Sequence, residues 1–340
     1  MKMKIDKRKL AVPVLIGLGV FGLFTHEIGF EEFRVLLSGV DLVLVLLAIL
    51  FNIGTIIFFT LSWRVLIAEK PSFPRLFQIY LVGVLVSNIT PSLGAGGEPV
   101  KALLLGNATD TNSSACFATI LTQRVLNLVP FIFVALIGLF FLFFYKNLDF
   151  WEVLAILFML GIVITALLLF IYLYLRKDRL EQLTHKVIKR LTPLIRIFKR
   201  DFNYEEYIHT IDDSIDLFHD ELKRLSKNNG KLALALIYSF IGWISNVAAA
   251  YIVFLALNHP INPGILMITY TIAMVIGMIP LISPGGVGTV DSIMAMLYIS
   301  TGVPKEIALL STLLYRLISY WLNTIIGITA TLAEHITINK

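Results

Sequence analysis

Long hydrophobic runs constrain this chain more than any other feature of its sequence. Such runs occupy residues 10–26, 40–62, 113–145, 151–175, 231–257 and 304–334. A helix needs about 20 apolar residues to cross the hydrocarbon core of a bilayer. Hydrophobic residues make up 57% of the chain and charged residues only 15%, whereas soluble domains average roughly 45–50% and about 25%. The sequence therefore predicts an all-α, polytopic membrane protein with about six full transmembrane helices.

The polar parts of the chain are too short for a soluble catalytic domain. The longest, residues 176–231, has room for one or two helices but not for a sizeable core. Cys116 is the only cysteine, which excludes an intrachain disulfide and a cysteine metal cluster. The histidines are scattered, and no His-Glu-x-x-His, Walker or Gly-x-Ser-x-Gly motif occurs. We therefore predict no catalytic residue, metal or cofactor, and no enzyme activity.

The charge of the chain predicts its orientation in the membrane. The net charge is +5, and the basic residues lie beside hydrophobic runs, which indicates topology control and anionic lipids rather than nucleic acid. The basic N-terminus, which lacks a small-x-small cleavage site, and residues 176–231, which carry thirteen Lys or Arg, should be cytoplasmic. The acidic connection 26–41 should be outside and the basic connection 63–75 inside. We predict a multi-pass protein of the cell membrane with both termini in the cytoplasm.

Two further apolar regions are interrupted near their middles by glycine and proline. The first broken region covers residues 73–105 and contains TPSLGAGGEP at 90–99, and the second covers 263–299 and contains PLISPGGVG at 280–288. Proline lacks an amide donor and glycine disfavours helix, so neither region can be one continuous span. The charge assignments also place both ends of the first region inside. We therefore predict two re-entrant broken-helix hairpins, the first entering from the cytoplasm and the second from outside.

The order of segments predicts an inverted-topology repeat, a plan shared by many secondary transporters. The first membrane repeat is residues 1–146, and the second is 147–340, including a cytoplasmic amphipathic segment at 176–230. The matched features are Gly96-Gly97 with Gly285-Gly286, Glu98 with Asp291, and Arg124 with Arg316.

Arg124 and Arg316 each lie early in an apolar helix, where a charge costs about 2.5–3.5 kcal/mol on insertion scales. One interpretation is that they bind an anionic lipid headgroup, because guanidinium donates two parallel hydrogen bonds to phosphate. The other is an internal ion pair, Arg124 with Glu98 and Arg316 with Asp291. Snorkelling of Arg124 to the interface is a third.

The glycine-rich breaks are candidate parts of the same binding site. Backbone amides at the start of a half-helix attract anions. Glu98 and Asp291 cap the second half-helices or couple transport to an ion or proton, and Lys101 pairs with Glu98. The candidate residues in the breaks are Gly94, Gly96, Gly97, Ser283, Gly285, Gly286 and Gly288.

Residues 88–102, NITPSLGAGGEPVKA, and 280–288 resemble the two signature regions of the flippase-like lysylphosphatidylglycerol synthase transmembrane-region family. The resemblance covers nearly the whole chain. Arg124 falls where the family commonly has an arginine, whereas Asp291 stands where the second signature often continues into a glutamate. The resemblance implies handling of lipids, including aminoacylated phospholipids and polyprenyl-linked sugars. Some members carry a fused aminoacyltransferase domain; we expect none here and therefore no lysyl transfer.

The leading hypothesis is a lipid flippase that moves or binds an anionic phospholipid or a polyprenyl-linked lipid in a polar groove between the hairpins. Two alternatives stay open. One is an intramembrane lipid-modifying enzyme, for which Glu98 and Asp291 are the candidate acid–base groups. The other is a membrane partner of a separate synthase or glycosyltransferase, docked through residues 181–225. The expected partners are membrane lipids with anionic headgroups, with a homo-oligomer or a partner enzyme also open.

Overall fold

The computed structural model describes residues 7–90, 96–145, 176–198, 204–277 and 284–338, together with single positions 154, 161, 165 and 172. Every regular element in these ranges is helical. The helices are α1 (Lys7–Ile28), α2 (Phe30–Ser38), α3 (Leu42–Leu66), α4 (Phe73–Ile89), α5 (Glu98–Thr109), α6 (Ser113–Tyr145), α7 (Lys177–Phe198), α8 (Tyr204–Ser226), α9 (Asn229–Ala256), α10 (Pro263–Gly277), a 3-10 turn (Pro284–Gly286), α11 (Thr289–Ser300), α12 (Lys305–Arg316), a π-helical turn (Leu317–Trp321) and α13 (Leu322–Ile338).

Five stretches of helix are long and apolar enough to cross a bilayer. They are Ala11–Ile28, Leu42–Leu66, Ser113–Phe141, Asn229–Ala256 and Lys305–Ala333. The prediction of an all-α, polytopic membrane protein is confirmed, and these stretches match five of the predicted spans. Most of the remaining predicted span, residues 151–175, lies outside the described residues, so the number of crossings stays a prediction.

The arms of both broken regions are short helices. They are α4 and α5, of 17 and 12 residues, and α10 and α11, of 15 and 12 residues. At 1.5 Å per residue, the longest arm reaches about 26 Å, less than the roughly 30 Å hydrocarbon core. The arms of each region pack against each other. The innermost parts of the breaks, residues 91–95 and 278–283, lie outside the described residues.

One set of contacts joins the helix ends that are predicted to be outside. The amide of Asp41, before α3, donates to the carbonyl of Ala256 at the end of α9 at 2.9 Å. Lys305, at the start of α12, is 2.6 Å from the carboxylate of Glu27 near the end of α1. The second broken region begins just after Ala256 and is followed by Lys305. Both of its ends therefore lie in this one layer.

The helix ends predicted to be cytoplasmic form a second layer, around α8. Arg224 of α8 donates to the carbonyl of Leu66, at the end of α3, at 3.2 Å. Ser113, at the start of α6, lines a cavity together with Ile215 of α8. The first broken region lies between Leu66 and Ser113. Both of its ends are in this layer, which favours the predicted re-entrant course.

Each broken region packs on the last helix of the other half of the chain. Arm α4 packs on α13, and arm α10 packs on α6. A glycine permits the close contact of the helices in both packings. A Cβ on Gly327 would lie 2.7 Å from Leu85 Cβ, and a Cβ on Gly138 would lie 2.8 Å from the Ile268 nitrogen. This exchange of partners is what an inverted repeat would produce. The division at residue 146 stays a prediction.

Helices α7 and α8 form the predicted amphipathic segment. Phe218 and Leu222 of α8 pack on Ala118 of α6. On α7, by contrast, Leu183 and Val187 are 42% and 44% exposed. Helix α8 is therefore part of the protein core, whereas α7 presents apolar residues outward, as a helix on a membrane surface does.

Candidate functional site

The first charged cluster joins the start of α5 to α6. The Nε of Arg124 donates to Glu98 Oε1 at 2.8 Å, and its Nη2 contacts the same oxygen. Lys101, one turn along α5, holds its Nζ 2.5 Å from Glu98 Oε2. The side chains of Glu98 and Lys101 are 3% and 6% exposed, whereas that of Arg124 is 39% exposed. One buried carboxylate thus serves two cations, and the cluster has a net charge of +1.

Aromatic rings and a glycine enclose Lys101. Its Nζ lies 4.8 Å from the centre of the Tyr80 ring and 5.6 Å from that of Trp63. Its aliphatic stem lies against Gly83 of α4, where a Cβ would overlap the stem. Ring faces attract cations, so these contacts stabilise a charge that is otherwise expensive to bury.

The second charged cluster joins the start of α11 to the end of α12. The Nε of Arg316 donates to Asp291 Oδ1 at 3.1 Å, and its Nη2 donates to the carbonyl of Gly285 at 3.3 Å. Its guanidinium lies 4.6 Å from the centre of the Tyr320 ring. The amide of Gly288 donates to Asp291 Oδ2 at 2.7 Å, which caps α11. This cluster is neutral, and both of its charged side chains are almost fully buried.

The two clusters correspond element by element. In each, an acid at the start of the second arm pairs with an arginine on the following helix, 26 residues later in one case and 25 in the other. The ion-pair interpretation of both arginines is therefore confirmed, as is the pairing of Lys101 with Glu98. Headgroup contact stays a prediction.

The broken regions contact each other at their interrupted ends. A Cβ on Gly285 would lie 2.6 Å from the carbonyl oxygen of Asn88. The Tyr320 hydroxyl donates to that carbonyl at 2.9 Å, and the Asn88 amide donates to Thr324 at 2.9 Å. Gly285 also has a φ of +60°, which residues with a side chain rarely adopt. A larger residue there would separate the two regions.

Of the other candidate residues in the two breaks, four lie within the described part of the chain. Gly286 and Gly288 also have positive φ, of +70° and +85°. The Gly97 amide donates to the Ser87 hydroxyl at 3.0 Å. Gly96 lies in a turn before α5. Gly94 and Ser283 lie outside the described residues.

Sequence reasoning missed a group of polar residues next to the second cluster. The π-helical turn follows Arg316 directly, and Asn52 of α3 donates to the carbonyl of Ile318 in that turn at 3.1 Å. Asn52 also donates to Asn323 at 2.8 Å, and the Tyr315 hydroxyl donates to Asn246 at 2.8 Å. Buried amides within apolar runs are expensive unless hydrogen-bonded, and that signal could have identified Asn52 and Asn323.

Two cavities adjoin the clusters. The larger, of about 520 Å³, lies between α5, α6 and the α7–α8 segment and is almost entirely apolar. The smaller, of about 350 Å³, lies between α1 and α12 and contains Asp291 and Arg316 in its wall. Among the residues that the structure describes, no group of three His, Cys, Asp or Glu is arranged to hold a metal ion.

Comparisons with known proteins found a matching family model and several similar membrane proteins. A family model described as "Lysylphosphatidylglycerol synthase TM region" matches residues 10–327. A UPF0104 membrane protein of Methanothermobacter thermautotrophicus is 30% identical over 95% of both chains. Another, of Methanocaldococcus jannaschii, is 28% identical over 100% of this chain and 98% of its own. A third, of Pyrococcus horikoshii, is 26% identical over 92% of this chain and 94% of its own. The resemblance noted in the sequence is confirmed.

Proposed function

The chain belongs to the family described as the lysylphosphatidylglycerol synthase transmembrane region, and from that premise we propose that it is a lipid flippase. Its substrate carries a phosphate in the headgroup, as anionic phospholipids and polyprenyl-linked lipids both do. The headgroup crosses the membrane along the contact between the two broken regions, while the hydrocarbon chains stay in the bilayer.

The paired charged clusters carry this proposal. An arginine within a spanning helix is expensive, and such charges are commonly functional. Here two arginines stand at corresponding positions, each held by a carboxylate at the start of a short broken arm. The guanidinium group suits phosphate, since it donates two parallel hydrogen bonds. The interrupted ends of the two broken regions contact each other beside these two arginine sites. A lipid headgroup could therefore pass from one arginine site to the other.

The two arginines can bind a phosphate without leaving a buried carboxylate uncompensated. Lys101 keeps its pair with Glu98 when Arg124 turns to a phosphate. Arg316 instead stays paired with Asp291 and binds the phosphate through its other N–H groups. Each buried carboxylate thus keeps a cationic partner, and the penalty for an unpaired charge is avoided. Phosphate binding is therefore reversible at both clusters.

A vesicle assay tests the proposal. The purified protein is reconstituted into phosphatidylglycerol vesicles with a trace of headgroup-labelled fluorescent phosphatidylglycerol, and a membrane-impermeant quencher reports the outer fraction over time. We expect the wild type to expose lipid from the inner leaflet. The double variant Arg124→Gln and Arg316→Gln should be at least about tenfold slower, because each lost charged hydrogen bond is worth about 1.5–3 kcal/mol.

The matched control is Arg179→Gln with Arg190→Gln, two exposed arginines of α7. This pair removes the same charge and should leave the rate unchanged. Equal rates for the site variant and the wild type, or a wild type no faster than empty vesicles, would overturn the proposal. Chromatography of the lipids recovered from the same vesicles separates transport from the enzyme alternative, which requires a chemically altered headgroup.

A further inference from the structure

The cavity between α1 and α12 differs from an ordinary packing defect, because a buried ion pair forms part of an otherwise apolar wall. Its volume is about 350 Å³, within the range of sites that hold small molecules. Its charged lining residues are Asp291 and Arg316, and the rest are Val14, Gly17, Leu18, Val20, Phe21, Val287, Leu313, Leu317 and Trp321.

The cavity has a buried charged end and an exposed apolar rim. The side chains of Arg316 and Asp291 are 7% and 6% exposed, whereas Leu18 and Leu317 are 63% and 47% exposed. Both leucines lie within stretches long and apolar enough to span the membrane. Exposed leucines at that depth face lipid chains. The cavity therefore connects the hydrocarbon of the bilayer with Arg316.

The helix on one side of this cavity is weakly held. Only 17% of the α1 span is buried, against 61% of the span that contains Arg316. In the described part of the chain, α1 packs mainly on α12 and more lightly on α2, α4 and the 3-10 turn. At the closest point the Trp321 ring lies against Gly17, where a Cβ would overlap the ring. A small movement of α1 would therefore widen the cavity.

We propose that this cavity is the lateral entry site for a phosphate-bearing lipid, an inference that rests on the proposed transport function. The lipid enters between α1 and α12 from the bilayer. Its phosphate accepts hydrogen bonds from Arg316, and its hydrocarbon chain lies along Leu18, Phe21 and Leu317. Arg316 donates to Asp291 through Nε and to Gly285 through Nη2. Since a guanidinium group has five N–H donors, it can donate to a phosphate as well.

The neutral charge of this pair predicts which headgroups the site accepts. Asp291 already offsets Arg316, so the site should recognise the phosphate itself rather than the net charge of the lipid. Phosphatidylglycerol and phosphatidylcholine should therefore both bind, whereas diacylglycerol, which lacks phosphate, should not. Asp291→Asn keeps an acceptor for the Gly288 amide but leaves Arg316 uncompensated. That variant should favour phosphatidylglycerol over phosphatidylcholine.

Photolabelling of the full-length protein in vesicles tests the site without requiring transport. The probes are phosphatidylglycerol and diacylglycerol, each with a diazirine in one acyl chain, and labelled peptides are identified by mass spectrometry. We expect the phosphatidylglycerol probe to label α1 and α12, and unlabelled phosphatidylcholine to compete. Arg316→Gln should weaken labelling about tenfold, the loss of one charged hydrogen bond.

A matched pair of tryptophan variants on α1 isolates the cavity. Leu18→Trp fills the rim and should reduce labelling, whereas Leu15→Trp, at a leucine that is 67% exposed but outside the cavity lining, should not. Equal labelling in these two variants, or equal labelling of α1 by both probes, would overturn the entry site. If labelling follows the expected pattern but the wild type does not transport lipid, the flippase proposal fails and the binding site stands. If the wild type transports lipid but α1 is not labelled, the entry site fails and the flippase proposal stands.

Discussion

At the scale of single residues, Glu98 is the most consequential side chain of the first cluster, because it is 3% exposed and faces both Lys101 and Arg124. Glu98→Gln leaves the buried Lys101 and the partly exposed Arg124 side by side without a counter-ion. Removal of one partner from a buried pair costs about 3–5 kcal/mol, so we expect a large fall in the apparent Tm in detergent, followed by tryptophan fluorescence. Lys101→Met should cost less, because Arg124 still pairs with Glu98. The double variant should be more stable than Glu98→Gln alone.

The control for this series is Lys305→Met. Lys305 also pairs with a glutamate, Glu27, but both side chains are nearly half exposed. Exposed ion pairs contribute about 0–1 kcal/mol, so its Tm should change little. A greater loss of stability in Lys101→Met than in Glu98→Gln would show that the carboxylate is not the centre of the cluster.

Sequence reasoning identified both acid–arginine pairs because each member is a charge within an apolar run, which is rare enough to be noticed singly. It could not choose between pairing and headgroup contact, since that choice depends on which helices are neighbours. Asn52 was missed because an amide carries no charge, and its partner Asn323 is 271 residues away along the chain. The bond between them follows from the packing of α3 beside the π-helical turn, which no local pattern encodes.

At the scale of elements, glycines set the distance at which the broken regions pack on the opposite half. Gly138→Ala and Gly327→Ala would place a Cβ against the backbone or Cβ of the neighbouring helix. We expect both variants to lower the apparent Tm, because small residues permit the close contact on which helix packing in membranes depends. Gly19→Ala and Gly22→Ala on α1 meet open space. These controls should be neutral or stabilising, since alanine favours helix by about 1 kcal/mol over glycine. Equal losses in all four would refute the packing role.

The elements themselves were largely predictable, because spans and breaks follow from local composition. The predicted run 40–62 became α3, and the break at 90–99 separates α4 from α5. The π-helical turn at Leu317–Trp321 was not predicted. The turn itself contains neither glycine nor proline, and a tertiary bond from Asn52 satisfies one of its carbonyls. Local sequence contains no signal for such a turn.

At the scale of the whole molecule, the described contacts group the outer ends of the helices into two sets, which favours a course in which each broken region begins and ends on the same side. This arrangement makes the re-entrant course testable without knowledge of the absolute orientation. An exposed residue that follows the first broken region should lie on the same side of the membrane as the α8–α9 connection. An exposed residue that follows the second broken region should lie on the same side of the membrane as α2.

Single cysteines test this arrangement in a Cys116→Ser background with a membrane-impermeant maleimide. Asn107 and Ser300 are exposed residues near the ends of α5 and α11, and Lys227 and Ser38 are exposed markers of the two layers. We expect the maleimide to reach Asn107→Cys and Lys227→Cys from one side of the membrane. It should reach Ser300→Cys and Ser38→Cys from the other side. In intact cells only the second pair should react, because the first lies beside the basic segment that is predicted to be cytoplasmic. If Asn107→Cys reacted with the α2 marker instead, the first region would cross the membrane. The two arginines would then no longer occupy equivalent positions in opposed repeats, and the exchange of a phosphate between them would lose its geometric basis.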